Sequence, residues 1–444
     1  MTSIPQATAA ELAMRRGAER VQAQLCEQDE AWGTRGWTRR RFLTGMGLVG
    51  VAALGSQLVT TRVAYGVGAD PTTQNTLITI FLRGAADGLR ILAPNSAELG
   101  LDFLQTVRGP LVPGDAQLLS LAGAPGWAAH SALQPLVDGL WPSGELAFVP
   151  AVSADGVTRS HFDAQQLLEK GGATSYTTGW LDRVLQQLGP GSTFRALAES
   201  SSAPASFTGD QSKLVIDSLK DFTFPGWDEI RPASQKAVSA LYRGMTGTLG
   251  EDVPSTVSAL ATAAKVRASA AVQNGAVYPS GNFAHALKDL AAVLRADVGL
   301  QVATVDVGGW DTHTNEAQDL DRLLAAAAKA LAAFMTDLGP TRRSRVTIVV
   351  MTEFGRRVAM NDSGGADHGH GSLMWLLGGG IAGGAVHGNW SPLSSATLAD
   401  GDVPGVNNAF DVLGELVQKR LGVGALSSVF PNHAVTPLGV AKPA

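Results

Sequence analysis

The sequence predicts an α/β protein in which helices sandwich a mostly parallel central sheet, with a helical insertion in its middle. Apolar runs rich in β-branched residues recur along the chain, and amphipathic helical patterns lie between them. The order strand, loop, helix, strand implies βαβ units and therefore parallel strands. The segment 232–298 differs, because it holds helical patterns without a convincing strand.

Five apolar runs predict strands that are buried on both faces. The clearest is Thr76–Leu82, with the sequence TLITIFL, which a glycine-rich turn follows. Continuous rather than alternating apolar character is typical of a strand covered on both sides. The other predicted strands are 146–152, 301–307, 346–352 and 373–377.

Helical patterns follow several of these runs. Outside the middle segment they cover 165–171, 316–338 and Ala409–Leu421; within it they cover 234–245, 256–271 and 282–294. We interpret 232–298 as an insertion or cap of the α/β domain, which spans 70–444. Plain helices covering one face of the sheet are an equally good interpretation.

The N-terminus carries the pattern of a twin-arginine signal peptide. Arg39 and Arg40 precede Phe42 and Leu43, and the uncharged, glycine-rich segment 45–59 follows. This segment is shorter than the roughly 20 residues that span a bilayer, so we expect no lasting membrane anchor. A basic, partly buried helix is the alternative interpretation. We expect the twin-arginine translocation machinery as a partner and a periplasmic or extracellular location.

The expected leader covers residues 1–69. Val67-Gly68-Ala69 fits a small-residue cleavage site before Asp70, with Ala64 as a second choice. The net charge of −5 becomes −8 when 1–69, with eight arginines and five acids, is removed. An acidic surface argues against nucleic acid as a partner. The single cysteine, Cys26, lies in the leader, which excludes a cysteine-ligated metal in the mature chain.

Polar residues cluster where the predicted strands end. Ligands bind beyond the carboxyl ends of parallel strands because several loops converge there. The loops concerned are 83–88, 159–163, 308–313, 353–357 and, before the fifth strand, 367–370.

These loops contain the candidate metal ligands. Asp311 and His313 are one residue apart, and Asp367, His368 and His370 form a second group. Imidazole and carboxylate together suit Zn²⁺ or a similar divalent ion, with Mn²⁺ and Ca²⁺ as alternatives. The carboxylates of Asp87 and Glu353 stand beside them as further candidates. Helix capping by Asp311 and a solvated His-Gly-His turn are the competing interpretations.

Ser160 stands where a loop gives way to a helix. A helix N-terminus stabilises a bound anion, so Ser160 is a candidate nucleophile towards a phosphate or sulfate ester. Serine is also a preferred N-cap, and the local sequence alone favours that role. The neighbouring Arg159 could hold the oxygens of the anion.

Taken together, the motifs resemble the bacterial proteins grouped as domain of unknown function 1501. They occur in the family's order over about 75–390, and the twin-arginine leader is also typical of that family. The motifs are FLRGAADGL, SHFDAQ, TGWLDR, GGWDTHTNE, TEFGRR, DHGHG and LGGGIAGGAVHGNW.

The family is usually placed in the alkaline phosphatase and sulfatase superfamily. The resemblance implies that Asp87 is a metal ligand, that Ser160 takes the place of the nucleophile, and that Asp311 and His313 share one metal site. His368 or His370 would supply a late histidine. The superfamily's phosphatases carry an adjacent Asp-His pair where this sequence has Glu353-Phe354, which predicts that one of two metal positions is altered or empty.

The sequence thus favours an exported metal-dependent hydrolase of phosphate or sulfate esters, small or polymeric. The alternative is a non-catalytic exported protein that retains the fold and uses the same crevice for binding, since fold does not determine function. A redox enzyme ranks third, because the sequence has no dinucleotide-binding fingerprint and no cysteine in the expected mature chain.

Overall fold

The computed structural model describes residues 59–60 and 74–443, except 155, 157, 201, 221, 224–228, 230 and 243–247. Its strands are β1 (Val59–Thr60), β2 (Thr76–Leu82), β3 (Leu92–Pro94), β4 (Leu118–Ser120), β5 (Trp127–His130), β6 (Leu146–Ser153), β7 (Ala196–Glu199), β8 (Lys213–Ile216), β9 (Val302–Val307), β10 (Val346–Met351), β11 (Ser372–Leu377), β12 (Ala385–Val386) and β13 (Asn407–Asn408).

The described helices follow the same chain order. They are α1 (Gly88–Ile91), α2 (Leu101–Arg108), α3 (Gln134–Leu140), α4 (His161–Lys170), α5 (Trp180–Gln187), α6 (Arg231–Tyr242), α7 (Thr248–Ala268), α8 (Asn282–Arg295), α9 (Glu316–Arg343), α10 (Ala409–Leu421) and α11 (Leu426–Val429).

A ten-stranded sheet forms the centre of the molecule. Its order is β1-β8-β7-β9-β2-β10-β11-β6-β12, with β13 also paired to β6. The pairs from β8 to β10 are parallel, whereas β11 runs antiparallel to both β10 and β6. The predicted mostly parallel α/β sheet is therefore confirmed.

The reversed strand β11 matters for the position of the loops. Because β11 runs against its neighbours, its N-terminal end lies at the sheet edge where β2, β9 and β10 have their carboxyl ends. The loop 367–370 that precedes β11 therefore reaches the same edge as the loops that follow the parallel strands.

Helices cover both faces of the sheet. Along β2, Ile78 and Ile80 face a core that they share with α3, α8 and α9, while Leu77 and Phe81 face a second core with α5 and α10. All seven residues of β2 are buried, as its continuous apolar run predicts.

The helix α9 shows how local sequence limits a prediction. Its pattern was predicted to stop at Leu338, and the helix bends at Gly339, whose φ of 65° and ψ of 171° are not helical. Pro340 follows and begins the last turns. By length and composition α9 could cross a membrane, but 61% of its most apolar window is buried inside the protein, which is the position of a core helix.

Short elements escaped the sequence analysis. The strands β7 and β8 have four residues each, and β3, β4 and β5 form a separate three-stranded antiparallel sheet. Runs this short carry little periodic signal. In the middle segment the described residues form the helices α6, α7 and α8, close to the three predicted there.

The predicted leader lies outside the described residues, apart from Val59 and Thr60. These two residues form β1, which pairs antiparallel with Leu214 and Lys213 of β8 at one edge of the sheet.

Candidate metal centre

All five predicted loops meet at one edge of the sheet, and the loop 159–163 does so through Arg159 and the N-terminal turn of α4. The guanidinium of Arg356 joins three of the loops, because it donates to the backbone oxygens of Gly84, Ala85, Trp310 and Ala366 at 2.6 to 3.1 Å. Gly84 allows this close approach, since a Cβ added there would lie 2.4 Å from the backbone nitrogen of Asp311. Its φ of 120° also favours glycine.

Glu353 connects the end of β10 to α4. Its buried carboxylate accepts hydrogen bonds from the backbone nitrogens of Gly84 and Ala85 at 2.9 and 3.1 Å, and from the side chain of Gln165 at 2.8 Å. Nδ1 of His161 also lies 2.8 Å from its Oε1. Burial alone would raise the pKa of Glu353, but these hydrogen bonds outweigh it and hold the pKa below its ordinary value.

Three imidazoles surround the carboxylate of Asp311. Nε2 of His161 lies 3.5 Å from Oδ2, whereas Nε2 of His313 and Nε2 of His368 lie 3.1 and 3.3 Å from Oδ1. The two Nε2 atoms of His313 and His368 are 2.9 Å apart. The ligand atoms of His161, Asp311 and His368 all lie within 4.8 Å of one another.

Each of these imidazoles is held at its other ring nitrogen. Nδ1 of His313 lies 3.2 Å from Asp367 Oδ1, and Nδ1 of His368 lies 2.8 Å from the backbone oxygen of Arg159. Both partners are acceptors, as is Glu353 beside His161. A ring whose Nδ1 donates its proton in this way keeps the lone pair on Nε2 when it is neutral.

Arg356 places a fixed positive charge beside this group. Its Nη2 donates to Asp311 Oδ1 at 2.7 Å, and its Nη1 lies 3.3 Å from Nε2 of His313. Partial burial would raise the pKa of Asp311, but Arg356, together with His368 and His313, lowers it below its ordinary value. Asp311 is therefore ionised at neutral pH.

Phe354 supports two of the rings from behind. Its buried side chain stacks on His161 with ring centroids 5.1 Å apart, and it contacts His368 with centroids 5.0 Å apart. Glu353 thus orients His161 by a hydrogen bond, and Phe354 orients His161 and His368 by ring packing. The resemblance had led us to expect a pair of metal ligands at these two positions.

Asp87 lies outside the imidazole group. It is fully buried, caps α1 through the nitrogen of Leu89, and forms an ion pair with Arg108. Burial would raise its pKa, but the charge of Arg108 and a hydrogen bond from Glu316 hold it below the ordinary value. Burial and the charge of Asp87 raise the pKa of Glu316 to about 9, so that Glu316 is protonated at neutral pH.

Arg159 and His370 form a neighbouring polar group. The guanidinium of Arg159 contacts Asp402 at 2.6 Å and Asp400 at 3.1 Å. His370 lies beside this pair, and a Cβ added at Gly405 would be 2.8 Å from its Nε2. Burial lowers the pKa of His370, and the charge of Asp402 offsets part of this decrease.

Ser160 caps α4. Its Oγ accepts a hydrogen bond from the nitrogen of Asp163 at 3.4 Å, which is long for such a bond. Its hydroxyl hydrogen has no acceptor among the described residues. The N-cap role that the local sequence favoured is thus observed, and it leaves the hydroxyl free to donate a proton.

No sequence pattern marked His161, Arg356 or Glu316 as a site residue. His161 was visible in the SHFDAQ motif, one position after Ser160, and Arg356 was visible in TEFGRR. His161 and Arg356 act through contacts with Asp311, which lies 150 residues after His161 and 45 residues before Arg356 in the chain. No rule based on local spacing could have selected them.

Comparisons with known proteins identify a family and a group of folds. A family model described as "Protein of unknown function (DUF1501)" matches residues 149–405, which is more than half of the chain. No curated protein matches the sequence.

Three solved structures have a similar overall arrangement. The lipoteichoic acid synthase LtaP from Listeria monocytogenes is 12% identical with a TM-score of 0.36, over 88% of this chain and 81% of that one. The C-terminal periplasmic domain of EcEptC from Escherichia coli, in complex with Zn, is 9% identical with a TM-score of 0.32, over 70% and 74%. An alkaline phosphatase from the Antarctic bacterium TAB5 is 10% identical with a TM-score of 0.29, over 69% and 93%. Similarity at this level carries no argument about the site.

Proposed function

This chain belongs to the family described as protein of unknown function DUF1501, and we propose that it is an exported metal-dependent hydrolase of phosphate or sulfate esters. One observation carries the proposal. The Nε2 atoms of His161, His313 and His368 converge on the carboxylate of Asp311, while an acceptor holds each Nδ1.

The convergence favours a positive species between the rings and Asp311, in addition to the guanidinium of Arg356. Neutral imidazoles whose Nδ1 donates would direct three lone pairs at a carboxylate, which is repulsive. Nε2 of His161 is in addition buried without a hydrogen-bond partner. A buried polar atom without a partner costs about 1–3 kcal/mol, so a bound ligand or a proton is expected there.

The donor set suits a transition-metal ion. Nε2 of each imidazole lies 3.1 to 3.5 Å from an oxygen of Asp311, and the Nε2 atoms of His313 and His368 are 2.9 Å apart. Bonds of roughly 2.0–2.1 Å in a tetrahedral site put the ligand atoms about 3.3 Å apart. Three imidazoles with one carboxylate favour Zn²⁺ over Ca²⁺, which prefers oxygen ligands. His161, Asp311, His313 and His368 would therefore hold the ion.

The surrounding residues support this role. Glu353 and Asp367 hold the Nδ1 atoms of two of the rings, as carboxylates commonly do for metal-bound histidines. Asp367 is largely exposed, and hydrogen bonds from Asn361 and His313 lower its pKa despite slight burial. Both carboxylates are then ionised at neutral pH and keep the proton on Nδ1.

A bound divalent ion would supply Lewis acidity at an ester oxygen and lower the pKa of a nearby hydroxyl or water. Ser160 is the candidate nucleophile, because it immediately precedes His161 and its hydroxyl hydrogen has no acceptor among the described residues. We assign Arg159 to positioning rather than to anion binding, since Asp400 and Asp402 already occupy its guanidinium. Its backbone oxygen orients His368.

The neighbouring charges favour a single ion at this site. Asp87, the further ligand that the resemblance implies, is neutralised by the buried guanidinium of Arg108. A second cation beside it would meet this fixed positive charge. We also propose export through the twin-arginine route, on the basis of the leader sequence alone.

Metal content decides the central part of the proposal. Purified full-length protein should carry about one equivalent of Zn²⁺ or a similar ion by inductively coupled plasma mass spectrometry, and Asp311→Ala and His313→Ala should lose it. Aryl phosphates and aryl sulfates, assayed with added Zn²⁺, Mn²⁺ or Ca²⁺, test turnover. If the unsubstituted protein binds no metal at any pH from 6 to 9, protons occupy the positions between the rings and Asp311, and the hydrolase proposal fails.

A non-catalytic binding protein is the second candidate. The observation that favours it is that Ser160, Arg159 and Asp87 all have structural contacts, as an N-cap and as members of ion pairs. It predicts metal binding without turnover of either ester class, and an unchanged metal content in Ser160→Ala. Metal-dependent turnover that Ser160→Ala abolishes would exclude it.

A further inference from the structure

A phenyl ring is exposed beside the candidate metal site. Phe162 directly follows His161 in the first turn of α4, and 82% of the residue is exposed. Side chains of a helix tilt towards its N-terminus, so this ring lies at the end of α4 that Ser160 caps. The site is open to solvent, because the side chains of Asp311 and His313 are 49% and 38% exposed. An ester bound at the site can therefore contact the ring of Phe162.

Two further exposed apolar side chains lie next to residues of the same sheet edge. Met360 precedes Asn361, whose side chain donates to the backbone oxygen of His313 at 3.0 Å. A glycine precedes Val406, and a Cβ added to that glycine would lie 2.8 Å from Nε2 of His370. Three separate segments of the chain thus place apolar surface around a polar site.

The position of these side chains is more informative than their exposure. Single exposed apolar side chains are ordinary on protein surfaces. Among the described residues, the exposed large apolar side chains are those of Phe162, Val277, Met360 and Val406. Val277 lies apart, in a groove with Thr336 in the second half of α9, whereas the other three border one sheet edge. Apolar surface there gains free energy when a ligand covers it.

We propose that Phe162, Met360 and Val406 form an apolar rim that contacts an aromatic group of the substrate, so that the substrates are phosphate or sulfate esters of aromatic alcohols. The inference rests on the proposed hydrolase function and names its substrate class. The charged end of the ester would lie at the imidazoles and its ring at the rim.

An aromatic group suits the rim better than an alkyl chain does. Aromatic rings attract one another beyond the effect of the area that they cover, which favours a ring against Phe162. The thioether of Met360 also makes favourable contacts with rings. A rigid ring in addition loses less conformational freedom on binding than a flexible chain with the same contact area.

Binding of non-hydrolysable phosphonates tests the rim independently of turnover. In calorimetric titrations of Zn²⁺-loaded full-length protein, phenylphosphonate should bind at least about fivefold more tightly than methylphosphonate. Phe162→Ala should reduce this ratio by at least about threefold, because a pair of rings is lost. Phe162→Tyr keeps the ring and should keep the ratio. Val277→Ala, at an equally exposed apolar position away from the site, is the matched control and should also keep it.

The outcomes separate this inference from the hydrolase proposal. Equal binding of the two phosphonates, an unchanged ratio in Phe162→Ala, or tighter binding of hexylphosphonate than of phenylphosphonate would overturn the aromatic rim, and hydrolysis of esters would be unaffected. A preference for phenylphosphonate that Phe162→Ala removes, without turnover of phenyl phosphate or phenyl sulfate, would support the rim and refute the hydrolase. If neither phosphonate binds, both proposals fail.

Discussion

Oε1 of Glu353 lies 2.8 Å from Nδ1 of His161, and the other nitrogen of the same ring is buried 3.5 Å from Asp311 without a hydrogen-bond partner. The contact fixes both the orientation and the tautomer of the ring. Phe354 stacks on the same ring. Glu353 and Phe354, which stand where the family resemblance implies an Asp-His pair, thus hold His161 in place. No sequence pattern had marked His161 as a site residue.

Replacing His161 should remove bound metal, whereas replacing His370 should not. His161 belongs to the group around Asp311, while His370 lies beside Arg159 and Asp402. We expect His161→Ala to lower Zn²⁺ affinity by at least about 100-fold and His370→Ala to change it by less than about threefold. Competition with a chromogenic chelator measures both, and equal losses in the two variants would contradict the assignment of ligands.

Glu353→Gln should weaken metal binding through His161. The substitution removes the charge that favours the proton on Nδ1, and such outer carboxylates are typically worth 10–100-fold in metal affinity. Glu169→Gln is the matched control, because Glu169 is also a buried carboxylate, but it pairs with Arg83 and has no hydrogen bond to the imidazoles. Both variants should lose stability in urea. An equal effect of the two on Zn²⁺ affinity would mean that Glu353 acts only through folding.

Substitutions of Ser160 distinguish an N-cap from a nucleophile. Ser160→Ala should cost about 1 kcal/mol in the free energy of unfolding, while Ser160→Asn should preserve the cap at little cost. If Ser160 is the nucleophile, both variants should lose turnover by more than about 1,000-fold with metal content intact. Turnover that survives in Ser160→Asn would assign the residue to capping alone.

Stability should fall as the pH rises from about 5 to 8, in part because of Glu316. Its pKa in the folded state is raised from 4.5 to about 9. In this window the folded chain keeps a proton that the unfolded chain has lost, so the unfolded state gains stability with rising pH. Glu316→Gln mimics the protonated form and should raise the free energy of unfolding at pH 8 by more than about 1 kcal/mol.

Urea unfolding at pH 5 and pH 8 measures this effect, with Glu98→Gln as the exposed control. The control should keep the pH dependence of the unsubstituted protein, whereas Glu316→Gln should flatten it. Parallel profiles for all three proteins would show that Glu316 is already ionised in the folded state.

Much of the fold was predictable because it depends on local patterns. Thr76–Leu82 is a strand in the structure at the predicted bounds, and Ala409–Leu421 is a helix at the predicted bounds. Both have long apolar patterns and clear ends, the helix through Asn408 at its N-cap and Gly422 at its C-cap. The strands β7 and β8 were missed, since four residues are too few to show a period.

The candidate site was predictable only in outline. The rule that loops converge beyond parallel strand ends brought Asp311, His313, Glu353, Asp367 and His368 together, and the reversed strand β11 adds the loop 367–370 to that edge. The same rule could not tell that the carboxylate of Asp87 faces Arg108 or that His370 lies beside Arg159. Those outcomes depend on the direction of single side chains, which neighbours distant in sequence determine.

The sequence by itself determined which segments become buried strands and helices and which loops carry acids and imidazoles, because burial and periodicity are properties of contiguous residues. Only the tertiary structure decided which of those side chains face one another. Arg356 contacts Asp311 and His161 contacts Glu353 across 45 and 192 residues of chain. Contacts of that kind arise from the packing of the whole sheet edge, and no local pattern records them.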